Sequence, residues 1–251
     1  MSFKTKVVLI TGASSGIGAA AAIEFAKEGA KVAIVGRNVE KLQTISDNCE
    51  KYGSKPLLIA ADISIDDEAK RVVQKVIEEY GHLDVLVNNA GLAKYGSILD
   101  GNILEAYDAT IKINLRAHIN VTALATPHLI KTKGNIINIS SVGGTLVPKQ
   151  CSKTPYYISK AALNHFTRCA ALELSSKGIR VNTVSPGPVK TDFLVNSGVT
   201  SYKFEDMAVD MPLQRVSDPI EIARIILFLA SDNAVGITGS EYVADNGFLL
   251  T

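Results

Sequence analysis

The stretch Val7-Val8-Leu9-Ile10-Thr11-Gly12-Ala13-Ser14-Ser15-Gly16-Ile17-Gly18 decides how the rest of the chain is read. Its first four residues are apolar without alternation, the pattern of a strand buried on both faces of a parallel sheet. Three glycines follow in a G-x-x-x-G-x-G spacing, and a helix-forming run starts at Ala19. A glycine-rich turn between a strand and a helix lets the backbone approach a pyrophosphate, whose charge meets free N–H groups and the positive end of the helix dipole. Gly12, Ser14, Ser15, Gly16, Ile17 and Gly18 are therefore expected to cradle a dinucleotide. The spacing differs from G-x-G-x-x-G, and its weight comes from standing at the first strand–helix junction of an alternating chain.

That alternation continues outward. Val32–Val35, Leu57–Ala60, Val85–Val87, Asn135–Ile139 and Arg180–Val184 read as buried strands, with helical patterns near 16–29, 38–52, 66–80, 103–131, 155–176 and 218–231. The last helix has a start signal: Asp218 as N-cap, Pro219 at the first helical position and Glu221 three residues past the cap. Regular alternation implies right-handed βαβ units. The expected fold is α/β, a doubly wound parallel β-sheet flanked by helices on both faces, with a last strand near Ser240–Val243 at the sheet edge. No proline- or serine-rich linker interrupts residues 1–251, which read as one domain. Residues 187–217 break the rhythm, with turn residues and the large apolar side chains of Phe193, Leu194, Val195, Phe204, Met207 and Met211. So long a loop is expected to be a substrate lid, with its methionines adapting to varied apolar shapes. The plainer alternative is a pair of loosely patterned surface helices.

Composition narrows the function. With 47% hydrophobic residues and 26 basic against 25 acidic side chains, the 251-residue chain is globular and carries a formal charge of only +1. No basic field is available to hold nucleic acid or an anionic membrane. Cys49, Cys151 and Cys169 have no C-x-x-C spacing, so neither a disulfide framework nor a zinc site is expected. Met1–Lys6 runs directly into the first strand, and apolar stretches such as Ile225–Ala230 fall short of the ~20 residues that cross a bilayer. A cytoplasmic location is expected.

At the end of the second strand the chain reads Val35-Gly36-Arg37-Asn38. An acid there would bond a ribose 2′-hydroxyl and select NAD, whereas a basic group accommodates the 2′-phosphate of NADP. Gly36 stands where the acid would be, and Arg37, with Asn38 beside it, can grip phosphate bidentately. NADP(H) is the expected preference, with NAD(H) as the alternative.

Three further clusters follow in order: Asn88-Asn89-Ala90-Gly91, Asn114, and Tyr156-Tyr157-Ile158-Ser159-Lys160. Together with Thr11–Gly18 they resemble the short-chain dehydrogenase/reductase family over most of the chain. The resemblance implies a Rossmann-type fold in which Asp62 and Ile63 flank the adenine and Asn88, Ala90 and Gly91 line the cofactor cleft. It implies that Pro186, Gly187, Val189 and Thr191 embrace the nicotinamide, and that the catalytic set comprises Asn114, a serine, Tyr156 and Lys160. It also implies a homo-oligomer, commonly a tetramer built on the helices near 103–131 and 155–176.

Chemistry supports this set independently. A carbonyl reduced by hydride transfer needs a proton delivered to its oxygen while negative charge develops there. Tyrosine, with a pKa of about 10, is too weak an acid to shuttle protons freely near neutrality. Lys160 stands one helical turn from Tyr156, and its charge, together with that of a cationic nicotinamide ring, is expected to lower the tyrosine pKa. Tyr157 cannot substitute, because Ala161 occupies the matching position. The family usually places its serine thirteen residues before the tyrosine, which here is Gly143. Alignment on the strand Ile136–Ile139 selects Ser141 instead, with Ser140 as its structural neighbour and a two-residue insertion within Thr145–Pro155. By resemblance, Asn114 holds a helix kink and a water linking Lys160 to solvent; its cost inside a helix is consistent with a task for its amide. His82, His118, His128 and His165 show no metal or triad spacing and read as surface or interface residues.

These readings converge on an NADPH-dependent oxidoreductase that reversibly reduces a ketone or aldehyde of a small hydrophobic substrate. One alternative is reduction of 3-oxoacyl thioesters on acyl carrier protein. That acidic partner needs a basic docking patch, for which Lys131, Lys133 and Lys177 are candidates. The other is a non-enzymatic NADP(H)-binding sensor or scaffold, which would have no need of Tyr156 and Lys160.

Overall fold

In a computed structural model, which describes residues 2–53, 55–198 and 203–251, the apolar runs form seven parallel strands. They are β1 (Val7–Thr11), β2 (Lys31–Gly36), β3 (Leu57–Ala60), β4 (Val85–Asn88), β5 (Asn135–Ile139), β6 (Arg180–Pro186) and β7 (Glu241–Ala244), in the order β3-β2-β1-β4-β5-β6-β7. The chain winds from β1 to one edge, then crosses back to β4 and winds to the other. Strand order therefore reverses between β1 and β4, and in such sheets ligands bind at that switch point, outside the carboxyl ends of the strands.

The helices are α1 (Gly16–Lys27), α2 (Val39–Glu50), α3 (Asp66–Tyr80), α4 (Ile103–Ile111), α5 (His118–Thr132), α6 (Thr154–Ser175), the short α7 (Phe193–Asn196) and α8 (Phe204–Ala208), and α9 (Pro219–Ala230). Alternate residues of β1 feed two cores. Val8 and Ile10 pack with Ala22, Phe25 and Ile226 from α1 and α9, while Val7 and Leu9 pack with Val72, Val76, Val121 and Leu129 from α3 and α5. Because both faces are covered, Val7 to Ile10 are all apolar, which is why the run reads as continuous; Thr11 at its end is buried with its hydroxyl hydrogen-bonded. Each fully buried Leu or Ile contributes roughly 1.5–3 kcal/mol. At the start of α9 the Asp218 N–H donates to the Glu221 carboxylate at 2.8 Å, as the start signal requires.

Two segments differ from the simple pattern. The span 103–131 is not one uniform helix: a π-helical turn, Lys112–Ala117, separates α4 from α5. Within it the Asn114 side chain bonds the backbone of Leu92, 22 positions away, and π turns of this kind recur at functional sites. Of the expected lid, residues 199–202 lie outside the described residues; α7 and α8 stand on either side. Within Thr145–Pro155 a 3₁₀ turn forms at Cys151–Lys153, tied to the β4–α4 loop by the Gly96 N–H donating to the Ser152 carbonyl at 2.9 Å. Among the described residues, no helix is long and apolar enough to cross a membrane.

Candidate active site

A cleft of about 600 Å³ opens at the carboxyl ends of the strands, astride the switch point. A smaller cavity of about 340 Å³ lies at the opposite end, among Lys6, Asp84, Asn135 and Arg180, and none of the expected site residues lines it.

One wall of the cleft is the glycine turn. Gly12 and Gly16 stand at φ +67° and +57°, and a Cβ on Gly12 would come within 2.7 Å of the Ala90 Cα. Thr11 ties the turn to the end of β4: its hydroxyl donates to the Val87 carbonyl at 3.3 Å and accepts the Asn89 and Ala90 N–H groups at 3.0 and 3.2 Å. Asn89 completes the tie, its Nδ2 donating to the Thr11 and Gly12 carbonyls at 3.0 Å each. Ser15, the N-cap of α1, makes no side-chain bond to the first helical turn, which lines the cleft at Gly16 and Ile17. That uncapped set of N–H groups fits a pyrophosphate.

Ser14 and Ser15 line the same wall, and Arg37 and Asn38 stand at the rim where β2 ends. Asn38 caps α2, its Oδ1 accepting the Lys41 N–H at 2.9 Å. Asp62 and Ile63 face them from the end of β3. Burial works to raise the Asp62 carboxyl, but the Ser64 hydrogen bonds and the charges of Arg37 and Lys112 prevail and hold it below the usual range.

At the end of β5 the two serines part in role. Ser140 continues the sheet, its N–H donating to the Val184 carbonyl at 2.8 Å, and its hydroxyl donates to the Lys160 carbonyl at 3.2 Å. Ser141 accepts the Gly143 N–H at 3.0 Å and hydrogen-bonds the Tyr156 side chain. Lys160 Nζ donates to the Ile139 carbonyl at 2.9 Å and lies 5.6 Å from the centre of the Tyr156 ring. Ser140 thus holds helix to strand, while Ser141 is the hydroxyl at the phenol.

The expected lowering of the Tyr156 pKa is not what the folded chain itself provides. Burial pushes the phenol up to about 12, opposed by the Ser141 hydrogen bond, and burial pushes Lys160 down to about 7. A low-dielectric site disfavours both charged forms. The consequence is a protonated phenol across the neutral range, the state that donates a proton.

Asn114 is buried and does not line the cleft. Its Oδ1 accepts the Leu92 N–H at 2.9 Å, and its Nδ2 donates to the Leu92 carbonyl at 2.9 Å and to Ser159 Oγ at 3.0 Å. It ties the cleft-lining loop to α6 at the residue before Lys160. His118 corrects the expectation of a surface histidine: it is fully buried, with Nε2 donating to the Ala90 carbonyl at 2.7 Å. Burial, reinforced by the Lys160 charge, brings its pKa down to about 3, so it holds the cleft backbone as a neutral imidazole.

Two expected cofactor residues stand behind the cleft wall. A Cβ on Gly18 would meet the Gly12 carbonyl oxygen at 2.6 Å, so this glycine packs α1 onto the turn. Asn88 is turned inward, its Nδ2 donating to Thr122 Oγ1 at 3.0 Å and Asn138 Oδ1 at 2.9 Å; Asn89 lines the cleft in its place. Ala90, Gly91, Pro186, Gly187, Val189 and Thr191 all line it. Beyond them Phe193 packs on Tyr156 with ring centres 5.6 Å apart, joined at the mouth by Leu194, Phe204 and Met207. Met211 does not face the cleft but is buried, and Val195 points to solvent. Sequence reasoning misses Lys41, Lys94 and Ile113, which also line the cleft. Only Lys41 carried a signal, one helical turn beyond Arg37.

Residues 12–249 match the family model described as enoyl-(acyl carrier protein) reductase. The chain is 38% identical over 251 residues to a 3-oxoacyl-[acyl-carrier-protein] reductase of Thermotoga maritima, covering 100% of both chains. It is 35% identical over 252 residues to oxidoreductase UcpA of Salmonella typhimurium, covering 98% of this chain and 95% of the other. Among solved structures, a short-chain dehydrogenase/reductase of unknown function from Caenorhabditis elegans, with cofactor, has a TM-score of 0.93 at 38% identity, covering 99% of this chain and 97% of that one. A short chain dehydrogenase from Burkholderia cenocepacia in complex with NADP has a TM-score of 0.91 at 34% identity, with 99% and 100% covered. A glycine turn at the switch point, a Tyr156–Lys160 pair at the end of β5 and full-length likeness to such enzymes agree on one conclusion: the chain belongs to the short-chain dehydrogenase/reductase family of oxidoreductases.

Proposed function

We propose that the protein is an NADPH-dependent carbonyl reductase acting reversibly on a hydrophobic ketone or aldehyde. The feature that carries this reading is the cleft-lining, half-buried Tyr156 side chain, bonded to Ser141 and opening onto a mouth walled by Phe193, Leu194, Phe204 and Met207. The nicotinamide cofactor, when bound, supplies the hydride. Ser141 orients and polarises the carbonyl oxygen, Tyr156 delivers the proton to it, and Lys160 sets the charge around the phenol. Arg37 at the rim supports NADP(H) over NAD(H), as does the relative solved with NADP. The reading includes a homotetramer built on the helices of 103–131 and 155–176, where Leu104, Ile158 and Leu172 are exposed; sedimentation tests it.

A second reading, reduction of a 3-oxoacyl thioester on acyl carrier protein, is favoured by the relatives that bear that name. Lys131, Lys133 and Lys177 precede β5 and β6, at the end of the sheet away from the cleft, whereas Lys94 lines the cleft itself.

The test offers NADPH and NADH with apolar ketones, quinones, steroids and 3-oxoacyl thioesters, free and carrier-bound, beside Tyr156→Phe. Expected are NADPH oxidation with apolar ketones, kcat/KM at least about tenfold above NADH, and a kcat loss of about a thousandfold in Tyr156→Phe with nucleotide binding retained. Equal use of NADH overturns the cofactor assignment. Salt-sensitive turnover confined to carrier-bound thioesters establishes the second reading, and nucleotide binding without any turnover establishes a sensor.

A further inference from the structure

One ion pair spans the mouth of the cleft. Lys41 Nζ donates to Asp192 Oδ2 at 2.7 Å, joining the first turn of α2 to the residue before α7, 151 positions away. Lys41 lines the cleft beside Arg37 and Asn38, while Thr191 and Phe193, on either side of Asp192, line it from the other wall. The Asn38 cap holds the backbone of Lys41 in place, and Phe193 in turn rests on Tyr156.

Three features make this pair more than surface decoration. An ammonium has three donors, so the bond to Asp192 leaves two for another oxyanion. An exposed pair held only by its own attraction is weak, because two long side chains must be ordered for it. Lys41 and Asp192 are 47% and 52% exposed, so the pair needs a second partner to become firm. Finally, Asp192 brings a negative charge to the rim where Arg37 is read as awaiting a 2′-phosphate, and only an intervening cation reconciles the two anions.

We propose that Lys41 is a shared cation, binding the 2′-phosphate of NADP(H) and the Asp192 carboxylate together, so that the phosphate that selects the nucleotide also seats Phe193 at the substrate mouth. This rests on the NADP(H) reading above. The mechanism is entropic: once phosphate orders the lysine, the contact to Asp192 forms without a further ordering cost. NADP(H) then favours carbonyl binding in a way that NAD(H), which lacks the phosphate, does not.

The test is a double-mutant cycle on the full protein. Nucleotide Kd by nicotinamide fluorescence and carbonyl KM are measured for wild type, Lys41→Met, Asp192→Asn and the double variant, with melting temperatures to verify folding. Lys41→Met is expected to weaken NADPH by about tenfold and NADH by less than about twofold, and to raise the carbonyl KM several-fold with NADPH only. Asp192→Asn is expected to raise that KM by a similar factor and to add nothing in the Lys41→Met background. KM effects that multiply in the double variant, or equal losses of NADPH and NADH binding in Lys41→Met, overturn the shared cation while leaving the cofactor assignment standing. Equal affinity of the wild type for NADPH and NADH overturns both.

Discussion

The two walls of the cleft are held by different means. The nucleotide wall is backbone against backbone: Gly12 lies so near Ala90 that no side chain fits between them, and Thr11 and Asn89 lock the two loops with hydrogen bonds of 3.0–3.3 Å. The opposite wall meets the rest of the cleft largely through side chains: the Phe193–Tyr156 contact, the Lys41–Asp192 pair and the Ser197 hydroxyl, which accepts the Ala93 N–H at 3.3 Å. A dinucleotide is the same molecule in every turnover, so its site gains from rigidity. A site for apolar carbonyls gains from surfaces that can repack.

If that contrast is right, the largest effect comes from the rigid wall. Gly12→Ala adds a Cβ at positive φ against the Ala90 backbone and is expected to cost on the order of 3 kcal/mol of stability and to abolish measurable nucleotide binding; urea unfolding and fluorescence titration check both. Next, Ser141→Ala is expected to lower kcat about a hundredfold with little change in stability. Ser140→Ala should do the reverse, losing about 1 kcal/mol of stability while kcat stays within a few-fold, because its hydroxyl bonds the Lys160 carbonyl rather than facing the phenol.

A pH series probes the buried pair between the walls. Lys160 titrates near 7 when folded against 10.5 when unfolded. Between those values the unfolded chain binds more protons, so stability without nucleotide rises with pH. The expected gain from pH 7 to 9 is about 2 kcal/mol, and Lys160→Met should flatten it. Cys49, raised from 9.0 to about 11, begins to oppose the gain as pH nears 9, and Tyr156, raised from 10.0 to about 12, opposes it above that. The smallest effect belongs to the adaptable wall: Phe193→Ala should raise KM for a bulky apolar ketone by about threefold to tenfold, leave a small ketone within about twofold and leave the melting temperature unchanged. A collapse of stability in Phe193→Ala would show that this wall is as rigid as the other.

Much of the molecule was legible in the chain because its signals are local or periodic. Unbroken apolar runs mark strands covered on both faces, the glycine spacing marks the turn after β1, and a tyrosine four residues before a lysine places both on one side of α6. Counting from the strand Ile136–Ile139 points to Ser141 rather than Gly143, and Ser141 is the hydroxyl that bonds the Tyr156 side chain. What failed had no such signal. Asn88 and Asn89 are identical residues side by side, and only the pleat of β4 turns one into the core and the other to the cleft.

The sequence by itself determined the strand–helix order, the place of the glycine turn after β1 and the pairing of Tyr156 with Lys160 on one helix, since each depends on residues within one turn or one strand. Only the tertiary structure decided that His118 is buried beneath Ala90, that Met211 belongs to the interior and not to the cleft mouth, that Lys41 reaches Asp192, and that burial raises Tyr156 in the chain by itself. Each of those outcomes depends on groups brought together from distant parts of the chain, and the last on desolvation, which is set by everything packed around the phenol and by no one neighbour in the sequence.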